Sequence, residues 1–157
     1  MQVYKVARRV ASGWHGADNA EKQLVVMPLL DQANLRRQKL QLRESAPRVV
    51  IGTVPRLLEL EASGRLDLTV SQVLVVDEFD ACMADKDTSS QLRSILQSRC
   101  SGQDGRMPVK RMTILASATV PQHRQFIRTC VREKWTRPSV SHVWIDSDER
   151  VPESIVH

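Results

Sequence analysis

The chain contains few aromatic residues and few cysteines, and it has no long apolar run. Only 4% of its 157 residues are aromatic, which disfavours an aromatic-rich β-sandwich. The hydrophobic fraction of 41% is nevertheless enough to bury an ordinary core. No apolar stretch approaches the roughly 20 residues that a membrane-spanning helix needs. The composition therefore predicts one soluble globular unit without a membrane anchor.

The three cysteines are odd in number and widely spaced, and they form no C-x-x-C pair. This pattern disfavours a disulfide framework and a zinc site, so we expect an intracellular, reducing compartment. No signal-type apolar stretch follows the basic start of the chain. The net charge of +5 favours a polyanionic partner, although a basic surface with no partner explains the charge equally well.

Short apolar runs alternate with segments of helical period, beginning with an amphipathic helix in the first residues. Such alternation predicts an α/β fold with right-handed crossovers, a mostly parallel sheet and flanking helices. The predicted strands are Leu24–Met27, Val49–Ile51, Val73–Val76, Met112–Ala116 and Val140–Ile145. The further predicted helices run from a cap at Asp31 to Arg43, over Pro55–Ala62, briefly after Asp77, over Ser89–Cys100, and from Pro121.

The strand Val73–Val76 is followed directly by Asp77, Glu78, Phe79 and Asp80. An apolar strand that ends in two adjacent acids resembles the Walker B element of nucleotide hydrolases. The first carboxylate can hold Mg²⁺ through water, and the second can position and deprotonate attacking water. An ordinary acidic helix start would have the same sequence, because acids favour the positive end of the helix dipole.

Two further groups of polar residues follow predicted strands. Ser117 and Thr119 come after Met112–Ala116, where they could bond to a carboxylate such as Asp80 or simply cap a helix. Thr53 and Arg56 come after Val49–Ile51. They could hold nucleic-acid phosphates or form a capped helix with a solvated arginine. Because carboxyl ends of parallel strands meet at one edge, we expect all three groups at one edge of one sheet.

The order of these groups resembles the DEAD-box RNA helicases. That family has T-P-G-R, D-E-A-D and S-A-T in this order. Here the corresponding segments are Thr53 to Arg56, Asp77 to Asp80, and Ser117 to Thr119. The segments Leu57–Leu60 and Val151–Ile155 also match the family, the latter resembling the linker to a second RecA-like domain. The sequence as a whole is similar to plant or algal chloroplast members of the family.

The resemblance implies an ATP-dependent RNA helicase and gives each motif a role. Asp77 would bind the Mg²⁺ of ATP through water, and Glu78 would be the catalytic base. The residues implied to couple hydrolysis to strand separation are Asp80, Ser117 and Thr119. Thr53 and Arg56 would contact the RNA backbone.

The chain departs from the family at several positions. Phe79 replaces an alanine, and we expect this to change packing rather than chemistry. Asp31-Gln32 stands where the family has a glycine pair, and Pro55 replaces the glycine of T-P-G-R, so both changes should weaken RNA contact. No G-x-x-x-x-G-K-[ST] phosphate loop occurs in the chain. We therefore expect a partial RecA-like domain that has no ATPase activity and binds no ATP or Mg²⁺ by itself.

These implications define the expected organisation. Residues 1–150 would form the partial ATP-binding domain, and residues 151–157 would begin the linker. A domain lacking its phosphate-loop strand should expose sheet edges that the rest of the protein, or a protein partner, would cover. The expected compartment is intracellular and reducing, with the chloroplast, the cytoplasm and the nucleus as the alternatives. The competing functions are a non-enzymatic scaffold in an RNA-containing assembly and another Mg²⁺-dependent P-loop NTPase, such as a transporter ATPase.

Overall fold

The computed structural model describes residues 2–13, 24–98, 111–119, 124–136 and 138–143. Helices and strands alternate along most of this part of the chain, as the sequence predicts. The helices are α1 (Gln2–Ser12), α2 (Leu35–Ser45), α3 (Val54–Ala62), α4 (Phe79–Ala84), α5 (Lys86–Ser98) and α6 (Arg124–Arg132), with a 3₁₀ turn at Leu68–Val70. The strands are β1 (Val26–Leu29), β2 (Val49–Gly52), β3 (Val73–Val76) and β4 (Met112–Leu115).

The four strands form two separate parallel pairs. β1 pairs with β2, from Val26 opposite Val49 to Leu29 opposite Gly52. β3 pairs with β4, from Val73 opposite Met112 to Val76 opposite Leu115. The α/β class and the parallel pairing are confirmed, whereas a single sheet is not observed among the described residues. Among these residues the strands of each pair form ladder hydrogen bonds only with each other, so the two ladders are not continuous.

Each strand pair has its own core on one side. The core beside β1 and β2 consists of Met27, Leu29, Leu42 and Leu60. The core beside β3 and β4 consists of Val76, Phe79, Leu92, Leu96, Cys130 and Trp135. Helix α3 contacts α5, and Val54 of α3 packs against the second core. Packing between helices therefore joins the halves that the strands leave separate.

Several element boundaries differ from the predicted ones. The side chain of Asn34, not Asp31, caps α2 by accepting a hydrogen bond from the Arg37 amide at 3.1 Å. The prediction was wrong here because the Asp31 carboxylate is engaged with another segment. Helix α5 starts at Lys86, earlier than predicted, since Asp85 accepts from the Thr88 amide at 2.8 Å.

Three predictions in the last part of the chain have different outcomes. Residues 140–143 lie in irregular backbone, so the predicted strand Val140–Ile145 is not formed over its described part, where no strand partner holds them. Residues 144–157, including the predicted linker, lie outside the described residues. Pro121 does as well, and α6 is described from Arg124.

The side of β3 and β4 away from the core is apolar and exposed. Alternate residues of both strands point to this side, with exposed fractions of 43–59%. They are Val73, Val75, Met112 and Ile114, and we call this surface the open sheet face. None of the helices in the described part of the chain is both long and apolar enough to cross a bilayer.

Candidate functional site

Asp77 and Glu78 form an exposed acidic turn directly after β3. The Asp77 carboxylate accepts a hydrogen bond from the Glu78 amide at 3.0 Å. Glu78 has a φ of 48°, in the left-handed region that residues with a side chain adopt only at a cost. The turn brings both carboxylates to the surface at the carboxyl end of the strand.

Phe79 anchors this turn in the core. Its amide donates to the carbonyl of Ala116 at 3.0 Å, while the Ala116 amide donates to the Val76 carbonyl at 2.9 Å. The ring is 4% exposed and makes edge-on contacts with Phe126 and Trp135, at centroid distances of 5.7 and 6.1 Å. The left-handed backbone at Glu78 is thus held by bonds and packing on its carboxyl side.

Asp80 connects the acidic turn to the segment after β4. Its amide donates to the Ser117 hydroxyl at 3.3 Å, and its carboxylate accepts a hydrogen bond from the Thr119 hydroxyl. The hydrogen bond from Thr119, followed by the interaction with the Ser117 side chain, lowers the pKa of Asp80 below its ordinary value of 3.8. A contact between Asp80 and these two hydroxyl residues is one of the two alternatives that the sequence allows, and the structure contains it.

Cys82 lies on α4 beneath the acidic turn. Its thiol is 3.9 Å from the Asp77 carbonyl. Burial raises the pKa of this thiol, and the charges of Glu78, Asp80 and Asp77 raise it further. The thiol is therefore protonated at neutral pH and poorly suited to nucleophilic chemistry.

Thr53 and Arg56 lie at the start of α3, where Asp31 binds both. The Thr53 hydroxyl donates to the Asp31 carboxylate at 2.6 Å. The Arg56 Nε lies 3.7 Å from the other Asp31 oxygen, and its Nη2 donates to the carbonyls of Asp31 and Ala33 at 2.6 and 3.2 Å. Nη1 of Arg56 donates to Glu59 at 2.9 Å. This group, which we call the Asp31 cluster, leaves Arg56 only 6% exposed.

The predicted site residues therefore fall into two groups rather than one. Asp77, Glu78 and Asp80 meet Ser117 and Thr119 at the end of the β3–β4 pair, whereas Thr53 and Arg56 belong to the β1–β2 pair. The expectation of one common sheet edge is not met among the described strands, because no ladder joins the pairs. Arg56 is also not a solvated arginine, since the turn Asp31 to Ala33 covers it.

The sequence indicates a cap and a motif position for Asp31, but not its contacts with Thr53 and Arg56. The bond between Glu59 and Arg56 is a further contact that the sequence analysis does not contain. The three-residue spacing between Arg56 and Glu59 on a helix is a usable signal for that ion pair. The bond from Thr53 to Asp31 spans 22 positions, and local spacing contains no comparable signal.

The acidic turn carries two exposed carboxylates that could take part in holding a magnesium ion. Carboxylate oxygens are the ligands that Mg²⁺ accepts, and the ion commonly keeps several waters and substrate phosphates. Within the described ranges, no three His, Cys, Asp or Glu side chains are grouped to hold a metal ion. Asp77 could therefore supply one ligand, directly or through water.

Comparison with solved structures defines the class of the domain. A hypothetical ATP-dependent RNA helicase from Sulfolobus tokodaii matches with a TM-score of 0.63 and 24% identity, over 87% of this chain and 34% of that one. The yeast DEAD-box splicing factor Prp28 matches with a TM-score of 0.65 and 22% identity, over 83% and 27%. The chain therefore has the RecA-like α/β fold of helicase domains.

Residues 1–127 match the family model of the DEAD/DEAH box helicases. The chain belongs to this family. It is 36% identical to the chloroplastic DEAD-box ATP-dependent RNA helicase 58 of Oryza sativa subsp. japonica and 34% identical to that of Arabidopsis thaliana. Both comparisons cover 100% of this chain but only 32% and 31% of the relatives, so the chain spans about a third of their length.

Proposed function

We propose that the chain is part of an ATP-dependent RNA helicase and supplies the hydrolytic acids of its first RecA-like domain. The observation that carries the proposal is the acidic turn Asp77 to Asp80, which is bonded through Asp80 to Ser117 and Thr119 after the neighbouring strand. Residues 1–150 would be the partial domain, and residues 151–157 would begin the linker to the second domain.

In this proposal the two exposed acids of the turn have different roles. Asp77 would hold Mg²⁺ through water, and the ion would supply positive charge to neutralise the phosphates of ATP. The Glu78 carboxylate would orient the attacking water and accept its proton. Its backbone, fixed by the Phe79 anchor, would keep the carboxylate in position without a rearrangement.

The second group of proposed residues connects hydrolysis with RNA. Asp80, Ser117 and Thr119 form a bonded unit beside the catalytic acids, so a shift of one strand end would be transmitted to the other. Thr53 and Arg56 would contact the RNA backbone.

The chain itself contains no phosphate loop, so in isolation it would neither bind ATP tightly nor hydrolyse it. The chloroplast, named in the relatives, is the compartment we propose.

The test is RNA-stimulated ATP hydrolysis by the full-length protein. Glu78→Gln should lower turnover by about a hundredfold or more, the usual contribution of a general base. Glu44→Gln is the matched control, because Glu44 is an exposed residue in the last turn of α2; it should leave turnover unchanged. Full turnover in the Glu78 variant would remove Glu78 as the base.

A second candidate is a scaffold within an RNA-containing assembly. The observation that favours it is the Asp31 cluster, in which the proposed RNA contacts are already bonded within the protein. A full-length protein that binds a protein partner but shows no salt-dependent RNA affinity would support this function over the enzymatic one.

A further inference from the structure

The Asp31 carboxylate contacts both residues that are proposed to hold an RNA phosphate, Thr53 and Arg56. One oxygen accepts the Thr53 hydroxyl at 2.6 Å, and the other lies 3.7 Å from the Arg56 guanidinium. At 3.7 Å the contact with Arg56 is an ion pair rather than a hydrogen bond, so the Thr53 hydroxyl is the group that the Asp31 carboxylate occupies directly, as a phosphate oxygen would. Asp31 thus acts as an anion bound within the protein itself.

The charge balance of the cluster points the same way. Arg56 supplies one positive charge, whereas Asp31 and Glu59 supply two negative charges that face it at 3.7 and 2.9 Å. The Arg56 side chain is 7% exposed, while those of Asp31 and Glu59 are 50% exposed. An approaching RNA strand would therefore meet the carboxylates before it met the guanidinium.

We propose that Asp31 is a built-in competitor of RNA phosphate that lowers the RNA affinity of this surface. This inference rests on the proposed function, since it concerns the Thr53 and Arg56 contacts. A phosphate oxygen can take the Thr53 hydroxyl only when Asp31 releases it. Asp31 therefore sets how readily this surface accepts an RNA backbone, and its replacement should strengthen binding.

The test measures the affinity of the full-length protein for a fluorescein-labelled single-stranded oligouridine, by fluorescence anisotropy across a salt series. Asp31→Ala, which leaves no acceptor for Thr53, should tighten binding about three- to tenfold, and the salt dependence should become steeper. Asp31→Asn keeps an acceptor while removing the charge, so it should give a smaller gain. It also provides a second reading if the alanine variant folds poorly. Circular dichroism would verify the fold of each variant.

A double-mutant cycle separates competition from simple charge repulsion. Thr53→Val keeps the shape of the side chain but removes the hydroxyl. If Asp31 occupies Thr53, this change should have little effect on RNA affinity in the native background and should remove most of the gain in the Asp31→Ala background. Equal losses in both backgrounds would show that Thr53 reaches RNA despite Asp31, and would overturn the inference.

Glu44→Gln is the charge control, because it removes one exposed negative charge from α2 outside the Asp31 cluster. If Glu44→Gln raises RNA affinity as much as Asp31→Ala does, the effect comes from net charge, and competition by Asp31 is rejected. If the native chain binds RNA and no Asp31 variant binds it more tightly, the competitor role of Asp31 is rejected, while the proposed function is not affected. No salt-dependent binding by any variant would instead count against RNA contact through Thr53 and Arg56, and so against that part of the proposed function.

Discussion

The hydroxyl of Thr119 donates a hydrogen bond to the carboxylate of Asp80, a residue 39 positions earlier in the chain. This bond is the largest cause of the lowered pKa of Asp80. It also joins the ends of β3 and β4 on the side where the acidic turn lies. A single contact thereby couples the charge state of Asp80 to the geometry of the proposed catalytic edge.

Replacing Thr119 should raise the pKa of Asp80. A carboxyl whose pKa is lower in the folded than in the unfolded chain stabilises the fold above its ordinary pKa, and this contribution disappears as the pH falls through the lowered value. In Thr119→Val the pKa should move toward 3.8, so acid unfolding should begin at a higher pH. Carboxyl NMR titration would measure the shift. Asp85, whose pKa is lowered by bonds from Thr88, serves as the internal control and should not move.

Phe79 should contribute strongly to stability. Its ring is 4% exposed and contacts Phe126 and Trp135, so Phe79→Ala would leave a cavity in the core beside β3 and β4. We expect a loss of about 3–5 kcal/mol of unfolding free energy in urea denaturation, and a smaller loss for Phe79→Leu. An alanine variant as stable as the native chain would mean that the ring does not anchor the acidic turn.

Gly52 should tolerate no side chain. A Cβ at this position would lie 2.5 Å from the carbonyl oxygen of Leu29, its partner in the β1–β2 register. We expect Gly52→Ala to lower stability by about 1–3 kcal/mol and to displace Thr53, the next residue. Gly13→Ala is the control, because among the described residues its Cβ would meet the Val10 carbonyl oxygen at an ordinary contact distance of 3.7 Å. Equal stability of the two variants in thermal denaturation would contradict the close approach of β1 and β2.

Arg56 should act as a structural clamp as well as a proposed RNA contact. Arg56→Gln would remove the donors that hold the carbonyls of Asp31 and Ala33 and the carboxylate of Glu59. The expected loss is about 1–3 kcal/mol of unfolding free energy, the usual effect of leaving such acceptors unpaired. Arg37→Gln, an exposed change in the first turn of α2, should have little effect. If the two variants are equally stable, Arg56 is not a clamp.

The open sheet face should promote self-association. The double variant Val75→Thr with Ile114→Thr changes residues that are 58% and 43% exposed, so it should reduce light scattering at little cost in stability. Val76→Thr is the matched control, because the adjacent side chain is only 7% exposed and lies in the core. That variant should be clearly destabilised. Unchanged scattering in the double variant would show that the open sheet face does not drive association.

Much of the local structure could be predicted from the sequence. The strand Val73–Val76 has its predicted bounds, because a run of four branched apolar residues before two acids has few alternatives. The start of α3 differs by one residue from the prediction, since Pro55 favours the first turn of a helix. The position of Ser117 and Thr119 near Asp80 could be predicted, because neighbouring parallel strands end at the same edge of a sheet.

The tertiary contacts of Asp31 and Arg56 could not be predicted in the same way. Asp31 and Asn34 are both acceptable helix caps, and the choice between them depends on Thr53 and Arg56, which lie far away in sequence. The burial of Arg56 likewise depends on a turn from another segment. The separation of the strands into two pairs depends on which ladders form, and alternating apolar runs do not contain that information.

The division into two strand pairs has a consequence for how the described part of the chain would open. An isolated pair of strands is marginal in water, so each pair depends on the helices that cover it. Contacts between α3 and α5 join the two halves. Loosening there would let one half exchange its amide hydrogens while the other stays protected. The proposed RNA contacts and the proposed hydrolytic acids thus lie beside different strand pairs, and hydrogen exchange would show whether the two halves open separately.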